Sequence, residues 1–351
     1  MQRRPLLLAL PLLALPRAGI GLPPKTLVFP RDHGAHPEIR TEWWYITGHG
    51  KAAEGEFGFQ LTFFRRRVEE TQGMRSRFAA KQIVFAHAAV TDLQGRRLWH
   101  DQRVAREGFG VAAVAEDDTR VRLRDWSLER DRATGSYLAN LPATGFSLRL
   151  QCTPTQPLLL QGRLGLSRKG PEPRQASYYY SQPQLATGGR LALRAREFEI
   201  SGKAWLDHEA SEEYLHPDAV GWDWIGMNLE DGSALTAFRL RRKDGSTLWD
   251  GGSFRPPGDG VRTFSPGEVI FTPLRHWTSP LTRNTYPVEC TVRTPTALYT
   301  VRPLLDGQEL DSRGSTGAIY WEGLCDLLNS NGQRVGRGYL ELTGYGERLR
   351  M

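Results

Sequence analysis

Between Gly202 and Gly232 the chain reads GKAWLDHEASEEYLHPDAVGWDWIGMNLEDG, with carboxyls and two histidines set among three indoles. A solvated run of charge has no use for so many tryptophans. Asp207, His208, Glu209 and Asp223 are the titratable side chains whose surroundings could do chemistry. A carboxyl on an apolar face loses solvation, and its pKa rises. An acid that stays protonated near neutral pH is a proton donor. A lone Asp between two Trp also serves as a plain acceptor for an indole N–H, so the acid reading rests on the cluster and not on Asp223 alone.

Strands must position these groups. In Ala204 to Glu209 alternation puts Trp205, Asp207 and Glu209 on one face, with Leu206 and His208 on the other. In Trp222 to Leu229 it places Asp223 with Ile225, Met227 and Leu229, opposite Trp222 and Trp224. The same mixture recurs as Glu42-Trp43-Trp44-Tyr45 and as Tyr320-Trp321-Glu322, and Tyr178-Tyr179-Tyr180 adds three phenols. We expect Asp207, His208, Glu209 and Asp223 to share one cavity with Glu42, Trp44, Tyr179 and Trp224, and Trp205, Trp222, Tyr320 and Glu322 to complete a ligand-binding wall.

The chain has 351 residues, 37 Gly and 22 Pro, which favours many short strands joined by turns. No stretch of a dozen residues keeps a helical period, whereas Arg120 to Arg130 and Phe146 to Gln151 alternate as strands do. Leu61-Thr-Phe-Phe-Arg65 and Leu235-Thr-Ala-Phe-Arg239 each follow an aromatic strand and a Gly-containing turn. This spacing, too long for a solenoid, suggests two similar β-domains in tandem. The expected boundaries are 25–190 and 191–351, with the junction near 177–200 because a strand with phenols on both faces lies between two packed surfaces.

A net charge of +7 is spread without a basic stripe, so nucleic acid is excluded as a partner. Gln2-Arg3-Arg4, the apolar run Leu6 to Leu15 and Pro16-Arg17-Ala18-Gly19 have the layout of a bacterial signal peptide over residues 1–18, with an uncleaved anchor as the alternative. Cleavage would leave a charge of 7 − 3 = +4 and place the protein in the periplasm. Cys152, Cys290 and Cys325 have no zinc or redox spacing and are read as buried thiols, although one disulfide of unknown pairing is compatible with that compartment. Asp32, His33 and His36 are close enough to suggest metal ligands, but no second cluster completes a site. We expect no metal there, with both histidines bonding their loop onto a strand; His87 is read as a core histidine. No GxSxG surrounds any serine, and no cysteine has an activating neighbourhood. Glycoside hydrolysis by Asp207 and Asp223 fits an apolar site poorly.

Taken together, DHGAHP (32–37), EWWYITG (42–48), YYYSQP (178–183), AWLDHE (204–209), GWDWIGMNLEDG (221–232) and GRGYLELTGY (336–345) resemble the AttH/CrtC family, which includes carotenoid 1,2-hydratases. The likeness spans residues 27 to 346. It implies two lipocalin-like β-barrels with a cleft between them, no cofactor, and a hydrophobic small-molecule partner such as a carotenoid, isoprenoid or lipid. For the hydratases it implies addition of water to a terminal isoprenoid double bond. Asp207, Glu209, Asp223, Glu42 and Glu322 would be the candidate acids, and His208 a relay or water-positioning group. The other reading is a periplasmic lipid or isoprenoid carrier, monomeric, working at a membrane surface or with an ABC transporter. One departure is Ala210, where an aromatic is expected after AWLDHE, in a place assigned to the substrate pocket.

Overall fold

The computed structural model describes residues 21–258 and 260–349. The leader expected over residues 1–18 lies outside the described residues. Past it the chain is almost entirely antiparallel β-structure, in two sheets.

The first sheet begins with β1 (Thr41–Ala52), β2 (Gly55–Arg67), β3 (Gln82–Asp92) and β4 (Arg97–Arg106). Shorter strands follow: β5 (Ala112–Val114), β6 (Arg120–Leu123), β7 (Trp126–Arg130), β8 (Tyr137–Ala143), β9 (Phe146–Thr153), β10 (Leu159–Leu160) and β11 (Leu166–Arg168). Two long strands close it, β12 (Ala176–Leu193) and β13 (Arg196–Ser211). The order is β4-β3-β2-β1-β13-β12-β9-β8-β7-β6-β5, with β10 and β11 on β12. The sheet curls until β6 lies against β3 and β4, enclosing a core that includes Trp44, Phe59, Phe63, Trp126 and Leu206.

The second sheet begins with β14 (Ala219–Leu229), β15 (Ala234–Arg242), β16 (Thr247–Arg255) and β17 (Arg262–Phe264). It continues through β18 (Ile270–Thr278), β19 (Thr285–Arg293), β20 (Leu298–Pro303), β21 (Glu309–Ser312), β22 (Ala318–Leu328) and β23 (Arg334–Leu342). Its order is β17-β16-β15-β14-β23-β22-β20-β19-β18, with β21 on β22. In both sheets the first strand lies between the second and the last. These are two tandem lipocalin-like barrels, as the repeated L-T-x-F-R hairpins suggested.

The repeat extends to chemistry. Glu42 pairs across the hairpin with Arg65, and Asp223 with Arg239, in matching positions of the two barrels. Both pairs are ionic: Arg65 Nε to Glu42 Oε2 is 3.0 Å, and Arg239 Nε to Asp223 Oδ2 is 2.7 Å. Both point into a barrel core, where a carboxylate needs a cation and hydrogen bonds to offset its lost hydration.

Two boundaries differ from expectation. Residues 177–200 are not the junction: they belong to the β12–β13 hairpin of the first sheet, which runs to Ser211, so the domains meet at 212–218 and not at 190. Phenols lie on both faces of β12 because one face lines a barrel and the other meets the second domain. The run Arg120 to Arg130 is not one alternating strand either. It breaks at Arg124, whose φ of +57° makes a tight turn, so that Leu123 pairs with Trp126 and both face the core. Asp244-Gly245 forms the expected turn, with Gly245 at φ +83°.

Candidate active site

The outer faces of β1, β2 and β13 pack against those of β14, β22 and β23. A cavity of about 460 Å³ opens between them. Alternation determines which side chains reach it. On β13, Asp207 and Glu209 face the cleft; Leu206 and His208 face the first core. On β14, Trp222 and Trp224 face the cleft; Asp223 faces inward beside Ile225 and Met227. On β22 and β23, Tyr320, Glu322 and Glu341 face the cleft; Trp321, Leu340 and Leu342 lie in the second core. Both faces of these strands are buried, one by each neighbouring layer.

Asp207 is held by three donors. Trp205 Nε1 and Ser181 Oγ donate to Oδ1 at 2.7 and 2.5 Å, and Tyr179 Oη lies 2.7 Å from Oδ2. Burial pushes its pKa up to about 7, against all three bonds. An indole N–H can only donate, and Ser181 already accepts from Gln161 Nε2 at 2.8 Å, so its own hydrogen goes to Asp207. Oδ1 is therefore filled by two donors, and Oδ2 is left to the Tyr179 hydroxyl.

Glu341 follows the same rule with a different outcome. Trp222 Nε1 donates to Oε2 at 3.0 Å. Among the described residues, no side chain or backbone group bonds Oε1. Burial pushes this carboxyl up to about 7, against the Trp222 bond, and the charges of Asp207 and Glu209 add to the rise. Oε1 is thus the carboxyl oxygen left free, on a side chain that lines the cavity.

Glu322 lies opposite Glu341 on the neighbouring strand. Burial and then Glu341 hold it well above the usual carboxylate range, against hydrogen bonds from Tyr45 Oη and Gln60 Nε2, both 2.5 Å. Glu209 differs: Lys169 Nζ is 2.7 Å from its Oε1, and Ser177 Oγ donates to the same oxygen. Lys169 also sits 4.5 Å from the Tyr179 ring centre and 4.6 Å from that of Phe238. The cleft therefore holds three acids with raised pKa values and one carboxylate paired with a cation, walled by Trp43, Tyr45, Tyr179, Trp222, Trp224 and Phe238.

Of the residues expected to share one cavity, Asp207, Glu209, Tyr179, Trp222, Trp224, Tyr320 and Glu322 line it. Glu42, Trp44 and His208 do not. They belong to the first barrel's interior, where His208 Nε2 and His36 Nδ1 bond Glu42 Oε1 at 2.9 and 2.6 Å, and Trp44 stacks on His208. Asp223 is not there either. Arg239, Arg241 and Tyr345 all donate to it inside the second barrel, so its oxygens are taken up away from the cavity. Trp205 lies behind the wall as the donor that orients Asp207. Ala210 packs with Ile39 and Tyr178, so the departure noted there does not touch the cavity.

His36, Glu42 and His208 bring three ligand atoms within 4.8 Å of one another. Those atoms already bond each other, and Arg65 holds the remaining carboxylate oxygen, so the cluster is a satisfied network that does not fit a metal. His36 also bonds Asp32 at 2.8 Å within the loop, and its bond to Glu42 ties that loop to β1, as its histidines suggested. His87, fully buried and pushed down to about 3 by that burial, bonds Tyr320 Oη and Ser315 Oγ across the domain boundary, both at 2.8 Å. Cys152, Cys290 and Cys325 are free and buried.

Sequence reasoning missed Glu341, Lys169 and Tyr45. Glu341 had a signal: in Tyr339-Leu-Glu-Leu-Thr343 it alternates with two core leucines. Lys169 lies in a loop with no pattern to mark it.

The AttH-like family profile matches residues 21–345. The chain belongs to the AttH-like family. A crystal structure described as an AttH protein, from Nitrosomonas europaea, is 46% identical, covers 92% of this chain and 98% of its own, and superposes with a TM-score of 0.86. Two further structures share the fold of this AttH-like chain. Kievitone hydratase from Nectria haematococca is 12% identical over 92% of this chain and 94% of its own, with a TM-score of 0.71. CghA with Sch210972 is 12% identical over 88% and 89%, with a TM-score of 0.51. No curated protein matches the sequence.

Proposed function

We propose that this AttH-like protein adds water to a carbon–carbon double bond of an apolar, isoprenoid-type substrate by acid catalysis. The observation that carries the proposal is Glu341: a carboxyl with a raised pKa that lines an aromatic cavity, its Oε1 unbonded among the described residues. An isolated alkene offers no polar handle. It needs a proton donor, a water, and surroundings that tolerate the carbocation formed in between. Aromatic faces stabilise a cation by about 0.5–2 kcal/mol each.

In this reading Glu341 protonates the less substituted alkene carbon. Trp222, Trp224 and Phe238 face the resulting tertiary cation. Water attacks it and loses its proton to Glu209, which is ion-paired with Lys169. One carbon–hydrogen and one carbon–oxygen bond form, the π bond is consumed, and the two carboxyls exchange protonation states. Water then returns the proton from Glu209 to Glu341. Two carboxyls in unlike surroundings, one beside a cation and one buried without a cation, are a general signature of paired acid and base roles. Kievitone hydratase is a hydratase built on this fold, and a shared fold does not supply a substrate.

The test uses an acyclic isoprenoid with a terminal trisubstituted alkene in ¹⁸O-labelled water. Mass spectrometry should show product carrying one labelled oxygen. Substrate that binds, quenches the cleft tryptophans and returns unlabelled would make the protein a carrier.

The acid must be protonated to act, and Asp207 and Glu341 both lose their protons near pH 7. Hydration measured as kcat/KM should therefore fall as pH rises above about 7. Trp222→Phe removes the N–H that holds Glu341 down, so its alkaline limb should move to higher pH. An unmoved limb would take Glu341 out of the donor role.

A further inference from the structure

A second feature lies at the rim of the cleft. The β2–β3 connection, residues 68–81, contributes Val68, Glu69 and Glu70 to the cavity lining, and its far part projects outward. There Met74 is 50% and Phe78 76% exposed, while Phe109, on the β4–β5 connection, is 56% exposed. Large apolar side chains grouped like this mark an interaction site more often than scattered ones do. The group is built and not frayed. The Phe78 and Phe109 rings stack with centres 5.6 Å apart. Arg106 lies 4.0 Å from the Phe109 ring centre and donates to the Phe78 carbonyl at 2.5 Å, pinning the two loops together.

Charge indicates what covers it. Residues 66–81 carry five basic side chains (Arg66, Arg67, Arg75, Arg77, Lys81) against two acids, and Arg106 adds a sixth beside Glu107. Of the acids, Glu69 is paired with Arg67 at 3.4 Å, and Glu107 accepts from the Val114 N–H. Arg75 and Arg77 are exposed and alternate with Met74, Ser76 and Phe78. Phenylalanines flanked by arginines suit the headgroup boundary of a bilayer, where rings enter the acyl region and guanidinium groups meet lipid phosphates.

We propose that Met74, Phe78 and Phe109, with Arg75, Arg77 and Arg106, form a docking surface for an anionic phospholipid bilayer and hold the mouth of the cleft at the membrane. Exposed Val104 and half-buried Ile83 and Phe85 continue the apolar surface from this patch into the cavity, so an apolar ligand could pass inward without crossing bulk water. Vesicle binding is read without substrate, so its failure would leave the hydration reading standing, and the reverse.

The experiment places an environment-sensitive fluorophore on Phe78→Cys in the full chain, the native cysteines being buried. A comparison label goes on Ala195→Cys, in the β12–β13 turn at the far end of β13 from Ser211, whose partner Thr41 pairs with Arg66. With phosphatidylglycerol vesicles the label at 78 should brighten and shift to the blue, and the label at 195 should not. Phosphatidylcholine vesicles should give a weaker response. Arg75→Gln with Arg77→Gln, or Phe78→Ser with Phe109→Ser, should weaken vesicle co-sedimentation about tenfold relative to the parent chain. Equal responses at 78 and 195, or no response at 78, would overturn the proposal. So would a response at 78 that follows protein concentration without lipid, which would mark a second copy of the chain as the occupant.

Discussion

Glu341→Gln should abolish most hydration while leaving the fold intact. The amide oxygen can still accept from Trp222, and the amide nitrogen takes the place of Oε1, so shape and bonding survive but the transferable proton does not. Loss of a positioned acid costs about two to four orders of magnitude in rate. Single-turnover measurements with labelled water would read this directly, and a loss under tenfold would remove Glu341 as donor. Stability gives an independent check. The folded-state pKa of Glu341 is raised from 4.5 to about 7. Its stabilising contribution is therefore complete below about 4.5 and is lost as pH climbs through 7, where the folded protein must bury a charge. The glutamine variant has no such loss. Its melting temperature relative to the parent should rise between pH 5 and pH 8.5.

Asp223→Ala should do the opposite, damaging the fold far more than the chemistry. Asp223 accepts from Arg239 Nε at 2.7 Å and Arg241 Nε at 2.8 Å, inside a barrel core. Removing it leaves two guanidinium groups buried without a counter-charge. Breaking a buried ion pair on one side costs about 3–5 kcal/mol, a large part of the stability of an ordinary domain. Chemical denaturation should show that loss, and Glu42→Ala should show a similar one in the first barrel, where Arg65 loses its anion and His36 and His208 each lose an acceptor. If Asp223→Ala instead melted like the parent and lost only activity, Asp223 would have to be returned to the catalytic group.

These two outcomes show where reading strands from sequence succeeds and where it stops. Alternation correctly separated Asp207 and Glu209 from His208, and Asp223 from Trp222 and Trp224. It could not say which face of each strand met the cleft. Normally hydrophobicity decides, because one face is wet. Here each central strand is buried on both sides, by a barrel core and by the opposing barrel, so acid beside indole recurs on both faces. Glu42 and Asp223 had a mark of their interior role in their repeated arginine partners, Arg65 and Arg239, four residues past the leucine of each L-T-x-F-R run. Lys169 had none, because its contact with Glu209 depends on where a loop comes to rest against another strand.

Tyr45 and Gln60 belong to one barrel, and the carboxyl they bond, Glu322, belongs to the other. Glu341 likewise stands on the second barrel and is influenced by Asp207 and Glu209 on the first. Neither half alone would keep these acids neutral, since each would present them to water. Parting the barrels by the width of a hydration layer would return the carboxyls toward their ordinary acidity and discharge the site. Bringing the halves together again would draw protons back in. Acid strength in this molecule is thus a property of the seam, set by how tightly the two barrels close on whatever lies between them.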